Sequence, residues 1–358
     1  MGISKSIVRS PARTAIVAFA LLIFIGTIML MLPAASKGER VGCVDALFTS
    51  TSAVCVTGLT VVDTGSTFSL FGQFVILILI QVGGLGIMTM STLFILLAGR
   101  RPGLAGQIVV QDAFTHSRER NILYRALSRL SLHSKIVLST TFILIVSGMI
   151  LILFMEWRNT LAPLPTSSRF LAAFFQSVTA RTAGFNTLSI GGMANETLFL
   201  IILLMFIGAS PGSCGGGIKT TSLATLVMLG LSRFKGRNRP LLFNRTISAG
   251  SVGKAVSVVI LSALVVCIGI MLVLMTEIGE VPHTQSRGQF LELFFEVVSA
   301  FGTVGLSTGI TGWLSEMGKI ILSMVMFVGR LGPLVVGVAL SRDTVTRYYF
   351  AEESIMVG

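Results

Sequence analysis

Three short stretches carry the residue types that could do chemistry in this chain. They are Thr57-Gly58-Leu59-Thr60, Thr182-Ala183-Gly184-Phe185-Asn186 and Thr303-Val304-Gly305-Leu306-Ser307. Each follows a half-length run rich in Phe, Ala, Val and Ser/Thr: ALFTSTSAVCV, FLAAFFQSVTA and FLELFFEVVSAF. A half helix that dips into a membrane aims its partial negative C-terminal end at the bilayer centre, which favours a cation there. An extended strand after it exposes carbonyl oxygens, and glycine lets several such strands approach one axis. Rings of carbonyls that replace an ion's hydration shell are the chemistry of K⁺-selective filters. One Gly-containing loop would signal little, but three at matching points of three units form a pattern.

The elements that must position these stretches are apolar spans. The chain has 358 residues, 53% hydrophobic and only 12% charged, against about 25% charged in soluble proteins. Thr14–Ser36, Thr64–Gly99, Ile136–Met155, Thr197–Ile218 and Ala255–Thr276 contain no Asp, Glu, Lys or Arg. Each suffices for a hydrocarbon core of about 30 Å, which takes roughly 20 helical residues. The expected fold is an all-α polytopic membrane protein of repeated span, re-entrant segment and returning span. The units fall at residues 1–98, 135–231 and 254–341, joined by basic connections at 99–134 and 232–253 and followed by a tail at 342–358. The re-entrant candidates are Val44–Asp63, Arg169–Asn186 and Gln289–Ser307.

Charge fixes the expected orientation. The net charge is +12, and its basic residues fall on one side of alternating spans: Lys5, Arg9 and Arg13 before the first, Arg118, Arg120, Arg125 and Arg129 in one connection, Arg233 to Arg245 in the next. The positive-inside rule makes that side cytoplasmic, with both termini inside a cell inner or plasma membrane. The first apolar run reads as a retained helix rather than a cleaved signal, and the basic charge as membrane topology rather than nucleic-acid binding.

Rival chemistries are weak. Cys43, Cys55, Cys214 and Cys267 lack CxxC spacing, and His116, His133 and His283 are scattered, so no metal site or resident cofactor is expected. SPGSCGGGIKT misses the phosphate-loop spacing by one residue, because Ile218 separates Gly217 from Lys219. Glu292 and Glu296 share a helix face without a nucleophile nearby, which suits hydrogen bonding or vestibule electrostatics. Asp63 is placed to concentrate cations at the outer mouth, Arg181 to brace its loop, and Gly83 to Gly86 to pack helices closely. No catalytic constellation is present, so an enzyme is not expected.

Several longer motifs then carry a resemblance: TSAVCVTGLTVVD (51–63), FQSVTARTAGFNT (175–187), FIGASPGSCGGGIKTTS (206–222), SAFGTVGLSTG (299–309) and GRLGP (329–333). They resemble the Trk/Ktr/HKT superfamily of potassium transporters, and most closely its bacterial membrane subunits. The resemblance implies potassium uptake, with Thr57, Gly58, Leu59, Ala183, Gly184, Phe185, Val304, Gly305 and Leu306 in a selectivity filter. It implies a gating loop from Gly208 to Thr221 containing Pro211, Gly212, Gly215, Gly216, Gly217 and Lys219. Pro and Gly also interrupt an apolar helix there, as at membrane pathways. Arg330, about ten residues from either end of an uncharged span, is expected to face the pore. The implied partners are K⁺, a second copy in a homodimer, a cytosolic nucleotide-binding regulatory ring of the RCK type and the lipid bilayer. The family carries four M1-P-M2 repeats and this sequence three, the counterpart of the second being absent. A non-conducting interaction subunit is therefore the alternative expectation.

Overall fold

The computed structural model describes residues 11–38, 40–84, 132–213, 215–236, 240–243, 245–282, 284–333 and 335. The expected repeat emerges three times within them. The first unit has α1 (Pro11–Met31), the short α2 (Cys43–Val54) and the returning α3 (Leu70–Gly84). The second has α4 (Leu132–Glu156), α5 (Thr166–Thr179) and a return split into α6 (Asn195–Phe206) and α7 (Thr220–Phe234). The third has α8 (Ala249–Glu277), α9 (Gln289–Gly302) and α10 (Glu316–Leu331). A hairpin of two-residue strands, Leu241–Leu242 with Arg245–Thr246, precedes α8. Among the described residues, α4 and α8 are each long and apolar enough to cross a membrane. Gly86, Cys214, His283, much of the 99–134 connection and the 342–358 tail lie outside the described residues.

The first two short helices are held against their outgoing spans by the same device. Ser50 on α2 donates to the Ile23 carbonyl of α1 at 2.8 Å, and Ser177 on α5 donates to the Ile145 carbonyl of α4 at 2.8 Å. A glycine one turn further along each span, Gly26 or Gly148, makes room, because any β-carbon there would collide with the serine hydroxyl. In the third unit Gly269 packs instead against Val297, which occupies the serine position. Burying a hydroxyl beside a carbonyl satisfies both in a medium without water.

The outer ends are tied as well. Glu156, buried at the end of α4, accepts from the Ala194 amide at the start of α6 (2.8 Å) and from Thr160 Oγ1 (2.7 Å). Glu277, ending α8, accepts from the Ser315 hydroxyl that caps α10 (2.6 Å). In the first unit the Ala35 carbonyl accepts from the Ser69 amide (2.9 Å). The three ties fix the angle between outgoing and returning spans, and hence the depth of the helix between them.

Among the described residues the units do not close into a symmetric ring. The first packs on the third through α2 against α10, where Lys319 and Asp45 pair at 2.7 Å. The second packs on the third through α6 against α9 and α7 against α8. The third unit is therefore the middle of the assembly, and residues 295–302 of α9 are buried throughout.

Candidate functional site: three converging strands

The chain leaves each short helix in the same unusual way. Two residues before the glycine of each stretch stands a β-branched residue at positive φ: Val56 (54°), Thr182 (72°) and Thr303 (49°). Such residues are genuine outliers there, costing about 1–3 kcal/mol each when held by their surroundings. Gly58, Gly184 and Gly305 follow at φ of 91°, 77° and 89°. Six left-handed residues at matching places turn three helix ends into three extended strands.

A hydroxyl on each helix then fixes the strand. Ser52 donates to the Leu59 carbonyl (2.7 Å), Thr179 to Phe185 (2.5 Å) and Ser299 to Leu306 (2.6 Å). In all three the acceptor is the residue after the glycine. This spends one carbonyl per strand on its own helix. The helix C-termini beneath add partial negative charge of the sign that favours cations.

The glycines meet where no side chain fits. A β-carbon on Gly184 would lie 2.6 Å from the Val304 carbonyl oxygen, and one on Gly305 would overlap the Thr57 carbonyl oxygen. Third-unit backbone thus touches both other strands. Gly58 and Gly184, by contrast, line a cavity of about 380 Å³ between the first and second units, together with Thr57, Thr60, Thr182 and Phe185.

Directly against the strands sits the break between α6 and α7. Gly216 donates its amide to the Thr303 hydroxyl (2.7 Å), and a β-carbon on Gly215 would lie 2.7 Å from Thr182 Oγ1. The loop therefore contacts the strained residue of two strands. Its neck is closed by the Ile218 amide on the Phe206 carbonyl (3.1 Å), and Lys219 folds back to donate to the Gly215 carbonyl (2.5 Å). Gly212 and Gly217 adopt φ of 86° and 71°, and Gly208 lies so close to Gly216 that a β-carbon would overlap its carbonyl oxygen. Pro211 opens the turn.

Arg330 is buried, 6% exposed, and donates to the Gly83 carbonyl across the seam between third and first units. Gly83 in turn approaches the Val54 carbonyl too closely for a side chain, the close packing expected of it. Glu296 is fully buried and accepts from Ser307 Oγ (2.6 Å), the Thr308 amide (3.1 Å) and Thr311 Oγ1 (2.9 Å), anchoring the chain beyond the third strand. Arg181 reaches Thr141 on α4 at 3.5 Å. Asp63 caps the turn at Thr64–Thr67, where hydrogen bonds from Ser66 hold its carboxyl below the usual range.

Sequence reasoning singled out the glycines, the loop and Arg330 as residues, without their contacts, and did not name Val56 as one of three strained residues or Glu156 and Glu277 as span ties. Laying the three units over one another by their glycines would have aligned Val56 with Thr182 and Thr303. The carboxylates carried no such register.

This arrangement of span, half helix and glycine strand defines a cation-transport membrane subunit, and the comparisons agree. The family described as TrkH, cation transport protein, matches residues 5–159 and 108–346. The chain belongs to that family, whose members move ions rather than catalyse reactions. It is 30% identical to the Ktr system potassium uptake protein B of Bacillus subtilis, covering 98% of this chain and 97% of that protein. It is also 30% identical to the potassium/sodium uptake protein NtpJ of Enterococcus hirae, over all of both chains. The crystal structure of the potassium transporter TrkH from Vibrio parahaemolyticus superposes with a TM-score of 0.69 at 18% identity, covering 93% of this chain and 85% of that one. The Bacillus alignment spans 441 positions against 358 residues here, so more than eighty of its positions hold no residue of this chain.

Proposed function

We propose that this chain carries potassium ions into the cell along the backbone of its three strands, with the 208–221 loop controlling flow. The observation that carries this reading is the threefold recurrence of one geometry: strained residue, glycine at positive φ, and a helix hydroxyl spent on the next carbonyl. Strain repeated at three matching points persists only where the surroundings enforce it, as at ion-handling sites. An entering cation exchanges water for carbonyls near Gly58, Gly184 and Gly305 and is held by the helix termini below. The loop acts by its grip on Thr182 and Thr303; Arg330, beside the seam, adds a positive group that opposes a cation lingering below the strands. K⁺ is the cargo, and no resident cofactor is invoked. Both termini lie in the cytoplasm, where a homodimer meets a nucleotide-binding ring through its basic loops.

One observation favours a second reading. The third strand lies in backbone contact with the other two, and among the described residues the fourth strand of a complete ring has no counterpart. A chain so built could serve as a non-conducting partner that keeps the fold but not the passage. Growth of a cell lacking its own potassium uptake systems, at limiting external K⁺, separates the two. Rescue by the wild type that is lost in Gly184→Ser and altered in Arg330→Ala supports transport. Failure to rescue despite confirmed membrane insertion supports the inert partner.

A further inference from the structure

The end of α4 far from the basic 99–134 connection carries a cavity of about 620 Å³ that ion passage does not use. Ile150, Leu153, Phe154 and Met155 of α4 line it, together with Trp157 and Arg158 just beyond the helix. Ile150 stands about 27 Å along the helix axis from Leu132, at roughly 1.5 Å per residue. A hydrocarbon core is about 30 Å thick. The aliphatic lining therefore borders the last of the acyl region, and Trp157 and Arg158 reach the headgroups, the level that tryptophan favours.

Two arginines flank Trp157 and are used differently. Arg169 stacks on the ring, 4.8 Å from its centroid, and donates to the Leu164 and Ala162 carbonyls at 2.8 Å each, so it is spent on the protein. Phe170 meets the same ring edge-on at 6.3 Å, which fixes that wall. Arg158 is exposed and makes no hydrogen bond or ion pair among the described residues. The carboxylate nearest in sequence, Glu156, is buried and taken up by Asn159, Thr160 and Ala194. An apolar cleft thus ends in one cation, and none of the residues lining it is acidic.

We propose that this cavity binds an anionic phospholipid, its headgroup phosphate on Arg158 and one acyl chain along Ile150, Leu153 and Phe154. A free phosphate would leave the aliphatic wall bare, and Phe154 is 84% exposed. A choline headgroup would bring a second cation to a rim with no acid to meet it, so net negative charge is selected. Residues 157–165 lead directly into α5, and the lipid braces the mount of the second strand. This goes beyond the transport reading and holds whether or not ions pass.

The chain has two tryptophans, so Trp313→Phe leaves Trp157 as its only indole reporter. The full chain with that substitution is reconstituted in phosphatidylcholine vesicles containing a fixed fraction of either brominated phosphatidylglycerol or brominated phosphatidylcholine, and quenching of Trp157 is read. The expected result is an enrichment of phosphatidylglycerol at Trp157 of about fivefold, the worth of one basic group at an anionic lipid surface. Arg158→Gln should remove that preference and Arg158→Lys should keep most of it, which separates loss of charge from loss of fold. Equal quenching by the two lipids, or a preference unchanged in Arg158→Gln, overturns the proposal. So does loss of the preference on adding inorganic phosphate, which would make free phosphate the ligand. The readout involves no transport, so its failure leaves the potassium reading standing.

Discussion

The third strand and the second are built from the same parts but held very differently. Behind the third, Glu296 collects three hydrogen bonds from residues 307–311. Behind the second, the residue in register is Gln176, fully buried, and neither of its amide atoms has a partner among the described residues. Leu306 is buried, whereas Phe185 at the same position is 72% exposed. Among the described residues the third strand has protein on both sides, whereas the second borders the cavity it shares with the first unit. Local sequence can therefore shape a strand, while its neighbours decide how firmly it is clamped.

That contrast is broken most directly at the glycines. Gly305→Ser inserts a side chain against the Thr57 carbonyl at φ 89°; it is expected to abolish rescue of growth at low K⁺ and to lower the unfolding midpoint in detergent. Gly58→Ser shares the strained φ of 91° but its β-carbon meets only Gly305 at 3.7 Å, so it is expected to lower the unfolding midpoint less and to change the ratio of K⁺ to Na⁺ uptake. Equal loss of fold in both would mean that the strands are equally crowded.

Next in size is the pair of buried residues behind the strands. Glu296→Ala strands three donors and should cost about 2–4 kcal/mol, read by denaturation in micelles. Gln176→Leu removes groups already without partners and should lie within about 1 kcal/mol of wild type on either side. A Gln176 variant as damaging as the Glu296 one would erase the distinction between clamped and open strands.

Smaller effects sharpen the roles of the loop and the seam. Gly216→Ala places a methyl 2.8 Å from the Phe301 carbonyl oxygen, loosening the loop's hold on Thr303, and is expected to raise basal ion flux a few fold. Asp45→Asn removes the pair with Lys319, whose side chains are 29% and 13% exposed. It should cost only about 0.5–1 kcal/mol, seen as a small drop in the unfolding midpoint.

The span pattern was legible because uncharged runs of membrane length leave little else for a chain to do. The short helices were legible for the opposite reason, being too short and too polar to cross. α5 ends at Thr179 and α9 at Gly302, close to where composition changes. The glycines declared themselves through register. What stayed hidden was contact between units: Arg330 reads as a charge deep in a span, and only packing reveals its bond to Gly83 on another unit. Likewise Ser50 and Ser177 look like ordinary small residues until their carbonyl partners on α1 and α4 are in view. The unequal clamping of Glu296 and Gln176 follows from which neighbour is present, which no local pattern encodes.

The central claim is that three strands suffice to carry potassium. Purified chain reconstituted in lipid vesicles, with tracer uptake followed down a potassium gradient, tests it without other cellular transporters. Wild-type vesicles are predicted to accumulate tracer well above protein-free vesicles, and Gly184→Ser vesicles with equal protein content are predicted not to. Uptake by inserted, folded wild type no faster than in protein-free vesicles would contradict the claim and leave the chain as a non-conducting partner.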